Sequence, residues 1–227
     1  MPCDPSLPSR ASDRRSNTER TEQTRALLLD AARRLFAARG FTGTSTEEVV
    51  RQAGVTRGAL YYHFRDKRDL FRAVVEDQQQ RLVVRVQQAA ATASDPWQGL
   101  RTGLHAFLDA CMEPDVRGIV LVDAPSALGW AAWRELDARY GYGLLRDGMQ
   151  ALIDAGLLDP QPVEPLAHLV LGALSEAGLL IATAADMPAT RREVGAALDR
   201  LLAGLVAGSG ERKASSSPQQ ELDCHTG

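Results

Sequence analysis

The 227-residue sequence predicts an all-α fold of about nine helices, and three observations favour it. Apolar residues recur at helical spacing, as at Leu28 and Leu35 and later at Leu198, Leu202 and Leu205. No segment alternates as a strand does, and no Asn-Gly or Asp-Gly hairpin signal is present. The 44% of hydrophobic residues is enough for a buried core, which excludes a fully disordered chain.

Helix-breaking residues divide the pattern into its elements. In order they are Gly40, Gly54, Asp95-Pro96, Glu113-Pro114, Pro125, Asp159-Pro160 and Met187-Pro188. The first predicted helix, 21–39, ends at Gly40, which suits a left-handed C-terminal cap. A long helix is predicted from about Asp66 to Thr92, and the last two helices at 163–184 and 189–207.

The two ends of the chain lack apolar periodicity. Residues 1–17 are rich in Pro, Ser and Arg and predict a disordered basic arm, and residues 208–227 predict a disordered polar tail. No apolar signal segment follows the early arginines, and the three cysteines form no CxxC pair. We therefore expect a reduced, cytoplasmic protein without a disulfide framework, metal or cofactor.

The net charge of −3 hides an asymmetry along the chain. Residues 1–75 contain 14 Lys and Arg and 9 Asp and Glu, a net charge of +5. Residues 76–227 contain 12 Lys and Arg and 20 Asp and Glu, a net charge of −8. A basic N-terminal third on an acidic body favours contact between that end and a polyanion.

The segment 165–185 is apolar enough to require a membrane test. Its length would just span a bilayer, but Glu176 is costly in mid-segment and no second span accompanies it. Gly172, Ala173 and Gly178 would allow another helix to approach closely. We therefore predict no membrane span but a buried soluble helix, which needs a partner such as a second subunit.

A helix-turn-helix is predicted between residues 44 and 63. A hydroxyl at 44–46 caps a short helix that ends at Ala53 because Gly54 stops it, and Thr56 caps a second short helix, 57–63. Apolar residues of this region share inward faces: Val49, Ala53, Val55, Leu60 and Phe64. The residues left facing outward are Arg57, Gly58, Tyr61 and Tyr62. An exposed recognition helix in a DNA major groove explains them economically.

One string in this region is specific: TSTEEVV at 44–50 and AGVTRGALYYHF at 53–64, followed by Lys67, Asp69, Leu70 and Phe71. It resembles the tetracycline-repressor-like (TetR) transcriptional regulators. The resemblance implies a helix-turn-helix DNA-binding domain at 18–65 and a larger ligand-binding and dimerisation domain at 66–207. Such proteins work as homodimers through their last two helices, here near 163–184 and 189–207, on a double-stranded DNA operator.

The resemblance also assigns DNA contacts. Arg57 is the candidate base reader, since an arginine fork matches guanine O6 and N7, and Gly58 lets the backbone approach the bases. Lys67 follows the cap Asp66, and a phosphate opposite would explain a positive charge at that helix end. Phosphate contacts set position and affinity rather than sequence. The full predicted set is Thr46, Thr56, Arg57, Gly58, Ala59, Tyr61, Tyr62, His63 and Lys67.

Alternatives remain for several basic and aromatic residues. His63 could instead be a capping residue, and Tyr61 could be half-packed against the first helix. The arginines at 10, 14, 15 and 20 could reach DNA, although a solvated tail is the better interpretation for them.

A ligand pocket is implied by the resemblance but encoded by no motif. Six aromatic residues lie in 97–142 and none lies after them, which favours the middle of the chain as the pocket wall. The candidate lining is Phe107, Met112, Asp123, Trp130, Trp133, Arg134 and Tyr140. Each of these residues taken alone is better explained as core or surface.

Two other function classes were weighed. An enzyme is disfavoured, since there is no GxSxG, P-loop, GxGxxG or HExxH, and His105 with Asp109 lacks a third metal ligand. An effector-independent, architectural DNA-binding protein would share the same N-terminal pattern. The favoured prediction is a repressor released from a pseudo-palindromic operator by a small molecule; its effector, operator and sign of regulation are not predicted.

Overall fold

The chain is helical throughout the part that the structure describes. The computed structural model describes the backbone of residues 10–214 and the side chains of residues 18–206. Over that range the helices are α1 Arg10–Arg39, α2 Thr46–Ala53, α3 Arg57–His63, α4 Lys67–Ala90, α5 Pro96–Ala110, α6 Ala124–Leu128, α7 Trp130–Asp154, α8 Val163–Thr183 and α9 Met187–Ala214. A π-helical segment, Val116–Asp123, leads directly into α6. No strand occurs between residues 10 and 214, so the all-α prediction is confirmed there.

Both terminal predictions differ from the structure where they overlap it. Helix α1 begins at Arg10, inside the arm predicted as disordered, and α9 continues to Ala214, inside the predicted tail. No Pro or Gly lies between Ser9 and Gly40, so nothing in that sequence stops the helix earlier. Residues 1–9 and 215–227 lie outside the described residues.

The chain divides into two compact units. The first contains residues up to 82 together with 110–137, and the second contains 83–109 and the residues from 138 onward. This division falls inside α4, whereas the sequence places the functional boundary between residues 65 and 66. That functional boundary stays a prediction.

The core of the first unit joins α1 to the short helices and to α4. Leu28, Phe36, Leu60 and Phe71 are each almost completely buried. The Phe36 and Phe71 rings meet edge to face with their centroids 4.9 Å apart, a favourable aromatic geometry. This core fixes the orientation of α2 and α3 on α1.

The π-helical segment has a local chemical cause. The N–H of Ala124 donates to the carbonyl of Ile119, five residues back, and Pro125 follows without an N–H to donate. Pro125 therefore leaves the carbonyl of Val120, five residues back, without a helical partner. The indole Nε1 of Trp133 donates to this carbonyl at 2.9 Å. Trp133 is buried and acts as a structural residue at this point.

In the second unit, charged side chains tie α5 to α9. Arg101 makes two hydrogen bonds of 2.9 Å to Asp199, and His105 Nε2 lies 2.9 Å from the same carboxylate. Arg191 donates to Asp109 at 2.7 Å and lies 3.0 Å from His105 Nδ1. Because an arginine only donates, His105 accepts through Nδ1 and carries its proton on Nε2. His105 and Asp109, considered above as a metal pair, are thus engaged in packing two helices.

Helix α8 contains most of the apolar segment predicted at 165–185. Within the described residues it is the one helix long and apolar enough to cross a membrane, and half of its most apolar stretch is already buried. Its buried side chains include Val170, Leu174 and Ile181. Such burial is typical of a core helix in a soluble protein.

Candidate nucleic-acid interface

Helix α2 begins and ends at well-formed caps. The Ser45 hydroxyl accepts the N–H of Glu48 at 3.3 Å, and the Glu48 carboxylate accepts the N–H of Ser45 at 3.1 Å, a reciprocal capping box. At the other end Gly54 adopts the left-handed conformation with φ +66°. The N–H of Val55 then donates to the carbonyl of Val50, which closes the turn before the next helix.

Helix α3 is placed by its own cap and two buried anchors. The Thr56 hydroxyl accepts the N–H of Ala59 at 3.2 Å, as predicted for a cap. Leu60 and Phe64, one helical turn apart, are buried against the rest of the first unit. Burial of this stripe turns the opposite face of α3 to solvent.

The exposed face of α3 carries the residues predicted to meet DNA. Tyr62 is 77% exposed and Tyr61 44% exposed. The Arg57 guanidinium lies 5.5 Å from the centre of the Tyr61 ring and 3.8 Å from a carboxylate oxygen of Glu47. A solvent-exposed ion pair of this kind contributes little, so the guanidinium can exchange it for another acceptor.

Gly58 is not required by the packing of the chain itself. A Cβ built at this position would meet only the Thr56 hydroxyl, at 4.0 Å, and the backbone is ordinary helix. The space outside Gly58 is therefore open in the free protein. The close approach of DNA bases to Gly58 stays a prediction.

The C-terminal end of α3 carries a histidine with a perturbed pKa. Burial lowers the pKa of His63 below its ordinary value, and the positive charge of Arg25 on α1 lowers it further. The Tyr62 and His63 rings meet edge to face, 5.2 Å between centroids. The lowered pKa favours the neutral form of His63 in the free protein, whereas a nearby phosphate would favour the charged form.

Lys67 has an intramolecular partner that the sequence did not reveal. Its ammonium donates to the carbonyl of Thr44 at 2.9 Å and lies 4.4 Å from the centre of the Phe41 ring. Asp66 caps α4 as predicted, accepting the N–H of Asp69 at 2.8 Å. The contact with Thr44 accounts for a positive charge at this helix start without a phosphate, so phosphate binding by Lys67 stays a prediction.

The remaining predicted residues border this face. Thr46 is the first residue of α2, is half-buried, and donates from its hydroxyl to Glu47 at 3.3 Å. Ala59 is half-buried, and its backbone is used by the Thr56 cap. Of the arginines considered as an arm, Arg20 is exposed on α1, whereas the side chains at 10, 14 and 15 lie outside the described residues.

Two charged residues near the face were missed by the sequence analysis. Glu47 approaches Arg57, and Arg25 lies with its guanidinium 5.6 Å from the centre of the Phe64 ring. Arg25 precedes the buried Leu28 by three residues on α1, so the two share a helix face. That spacing was the available signal for placing Arg25 beside the second helix of the motif.

Known proteins share this arrangement over most of the chain. A profile of bacterial regulatory proteins of the tetR family matches residues 28–74, and one of tetracyclin repressor-like C-terminal domains matches residues 97–205. A crystal structure of a TetR-family transcriptional regulator from Pectobacterium atrosepticum is 37% identical, with a TM-score of 0.75. The match covers 88% of this chain and 98% of that one. The chain belongs to the TetR family of transcriptional regulators.

Curated TetR-family relatives agree over shorter stretches. The transcriptional regulator AcrR of Shigella flexneri is 34% identical over 108 residues, 47% of this chain and 50% of AcrR. The transcriptional activator FasR of Mycolicibacterium smegmatis is 36% identical over 110 residues, 48% of this chain and 50% of FasR. The chain thus spans about half the length of these curated relatives. Members of the family are DNA-binding transcriptional regulators, typically repressors.

The predicted ligand-pocket residues of this TetR-family chain are distributed over both units. Phe107 and Tyr140 belong to the second unit and are half-buried. The other five belong to the first unit: Met112, Asp123, Trp130, Trp133 and Arg134.

Four of those five have structural contacts within the first unit. Asp123 accepts the N–H of Phe41 at 2.6 Å, just after the end of α1. Arg134 donates to Asp137 at 3.1 Å, and Trp133 donates to Val120 as described above. Trp130 is 59% exposed and packs its ring on Trp133 at 4.8 Å between centroids. Their role in binding a ligand stays a prediction.

Proposed function

We propose that this protein is a cytoplasmic, sequence-specific repressor that binds a pseudo-palindromic DNA operator as a homodimer and is released by a small-molecule effector. The observation that carries the proposal is the exposed face of α3. There Arg57, Gly58 and Tyr62 are turned to solvent although the fold itself does not need them there. A major groove admits an α-helix, and this face would meet the base edges.

Two substitutions at exposed positions test which residue of this face reads bases and which contributes affinity for any DNA sequence. Arg57→Ala should weaken operator binding by about 1–3 kcal/mol and relax the preference at one base pair per half-site. Tyr62→Ala should weaken binding to operator and unrelated DNA alike, by about 1 kcal/mol. Both variants should melt at the wild-type temperature, because neither side chain is buried. Equal losses from Arg57→Ala on every sequence would remove Arg57 as a base reader.

The dimer surface that we propose is the exposed side of α8 and α9. Leu169, Leu180 and Leu201 are 73%, 50% and 51% exposed on these two helices. A soluble chain rarely leaves such residues together in water without a partner. A two-fold dimer would place two recognition helices about 34–36 Å apart, one turn of DNA, to read two half-sites.

Gly172→Trp tests this surface without disturbing the subunit. A Cβ at Gly172 meets nothing within 4 Å, so a side chain added there starts in open space. We expect a folded monomer by analytical ultracentrifugation, with operator affinity lost. Gly178 is not a comparable probe, because it is already buried within its own subunit. If the Gly172→Trp variant is still a dimer, the interface lies elsewhere on the subunit.

For the effector we propose the apolar cavity of the second unit. It has a volume of about 280 Å³ and lies among the end of α4, α5 and α7. Leu100, Leu104, Leu144 and Leu145 line it, and Gln87 offers an amide. This lining suits a small, largely apolar molecule with one polar group. By linkage, an effector lowers operator affinity only by its differential affinity for the two dimer states.

A screen for compounds that release operator DNA, repeated with Ala151→Phe, tests the cavity. Ala151 lines the cavity and is half-buried, so a larger side chain there would occupy the space. We expect operator binding to persist in the variant and release by the compound to be lost. Unchanged release would place the effector elsewhere, and a failure of every compound to bind would favour effector-independent regulation.

The sign of regulation follows from where the operator lies relative to a promoter. Repression is proposed because it is typical of the family, while FasR is named an activator. With the selected operator placed over the promoter, expression of a reporter gene should fall when the protein is expressed. A rise in reporter expression would show that the protein is an activator.

A further inference from the structure

The exposed side of α8 and α9 carries charges as well as apolar residues. Glu176 lies in the middle of the exposed stripe of α8, and Arg200 in the middle of that of α9. Among the described residues, neither side chain has an ion pair or hydrogen bond within the subunit. If the proposed dimer covers this face, both charges are removed from water and each needs an opposite charge.

The position of each charge along the helix pair follows from the short connection between the helices. Helix α8 ends at Thr183 and α9 begins at Met187, so the two helices run antiparallel as a hairpin. Counting outward from the connection, Ala173 lies level with Ala197, and Leu169 lies level with Leu201. Glu176 then lies three residues nearer the connection than Ala173, and Arg200 lies three residues beyond Ala197.

At about 1.5 Å per residue, Glu176 and Arg200 are each about 4.5 Å from the Ala173 level, on opposite sides of it. A two-fold axis across the helix pair at that level exchanges the two positions. It brings the Glu176 carboxylate of each copy to the height of the Arg200 guanidinium of the other copy, so two equivalent pairs form. The small side chains of Ala173, Ala197 and Gly172 allow close approach at the axis itself.

Other placements of the axis are electrostatically worse. An axis at the level of Glu176 would set two carboxylates against each other in an apolar interface, and one at Arg200 would oppose two guanidinium groups. Like charges so placed disfavour association. The charge pattern therefore selects one register among the possible ones.

We propose that a second copy of this chain docks with its two-fold axis at the level of Ala173 and Ala197, and that Glu176 of each copy pairs with Arg200 of the partner subunit. The inference rests on the proposed dimerisation through α8 and α9. The reciprocal pair gives the dimer its register and disfavours mixed dimers with chains that have an equally apolar face but different charges there.

Charge reversal in the full-length protein tests the pairing. Glu176→Arg and Arg200→Glu each oppose like charges, and each should raise the dimer Kd by about 100-fold in sedimentation equilibrium. The double variant E176R/R200E restores two opposite pairs and should return within about tenfold of wild type. Mixing the two single variants should produce heterodimers in excess, detectable by native mass spectrometry, because both pairs are then complementary.

The matched control is Arg192→Glu, the same charge change on an exposed position of α9 outside the pair. It should leave the dimer Kd within about threefold of wild type. Single reversals that leave the dimer unchanged, or a mixture without excess heterodimer, would overturn the pairing while the dimer itself stands. A wild-type protein that is monomeric at all concentrations would instead overturn the proposed dimerisation.

Discussion

A substitution at Gly58 should affect the stability of the fold and the binding of DNA in opposite directions. It is the second residue of α3 and adopts ordinary helical backbone with open space outside it. Because alanine is the better helix former, Gly58→Ala should hold or raise the unfolding free energy, by up to about 1 kcal/mol. The added methyl group would stand between α3 and the bases, so operator affinity should fall at least about tenfold.

Gly54→Ala provides the contrasting control for that prediction. Gly54 also has open space, but its φ of +66° is strained for any residue with a Cβ. We expect it to lose about 1–2 kcal/mol of stability in urea unfolding. A Gly58→Ala variant with wild-type operator affinity would show that α3 does not approach DNA at this residue.

His63 predicts a pH dependence of DNA binding. Burial and Arg25 lower its pKa in the free protein below the ordinary 6.5, and a phosphate in the complex would raise it. The complex would then bind more protons than the free protein between those two pKa values. Operator affinity should therefore increase as the pH falls through that window.

The measurement is operator Kd by fluorescence anisotropy across about pH 5.5 to 8 at constant salt. His63→Gln keeps a hydrogen-bonding side chain without a titrating ring, and it should flatten this dependence. An identical pH profile for the variant and the wild type would assign the proton to another group.

The sequence could place the outward residues of α3 but not the partner of Lys67. The alternation of buried Leu60 and Phe64 with exposed Tyr61 and Tyr62 follows from helical spacing alone. The approach of Lys67 to the Thr44 carbonyl depends on how α4 crosses the turn before α2. Such a contact is set by tertiary packing, and no local pattern encodes it.

The ion pairs and hydrogen bonds between α5 and α9 predict that the fold loses stability in acid. The hydrogen bonds from Arg101, and then that from His105, hold the pKa of Asp199 well below its ordinary value. A carboxyl group with a lowered folded-state pKa stabilises the fold above its unfolded-state pKa, about 3.9. That stabilisation should be lost as the pH falls below about 4.

Asp199→Asn should remove the stabilisation by the Asp199 carboxylate at all pH values. We expect a loss of about 1–3 kcal/mol in urea unfolding at pH 7 and a weaker dependence on pH below about 4 than in the wild type. Asp147→Asn is the control, because Asp147 is exposed and its ion pair is with its neighbour Arg146 on the same helix. A D199N variant as stable as the D147N variant would contradict a stabilising role for this network.

The sequence predicted most element boundaries from glycine, proline and capping residues. It predicted neither the π-helical segment nor the hydrogen bond from the Trp133 indole of α7 to the Val120 carbonyl. It also did not show that Asp123 would accept the N–H of Phe41, far away in sequence. Residues chosen by composition alone, as for the ligand pocket, therefore include side chains that the fold already employs.

The proposed function needs two surfaces of each subunit: the recognition helix α3 and the self-complementary face of α8 and α9. Neither is sufficient alone, because a single α3 contacts few base pairs and a monomer reads one half-site. The symmetry of the dimer should therefore appear in the DNA that it selects. This expectation depends on the exposed faces of α3 and of α8 with α9 together.

Selection of bound sequences from random duplex DNA with the purified full-length protein tests sequence-specific recognition by a dimer. We expect an enriched inverted repeat whose half-sites are about one helical turn apart, about 34–36 Å between centres, with the preference at one base pair per half-site relaxed in Arg57→Ala. No enrichment, with only salt-sensitive binding to all DNA, would contradict sequence-specific operator recognition and favour an architectural DNA-binding protein.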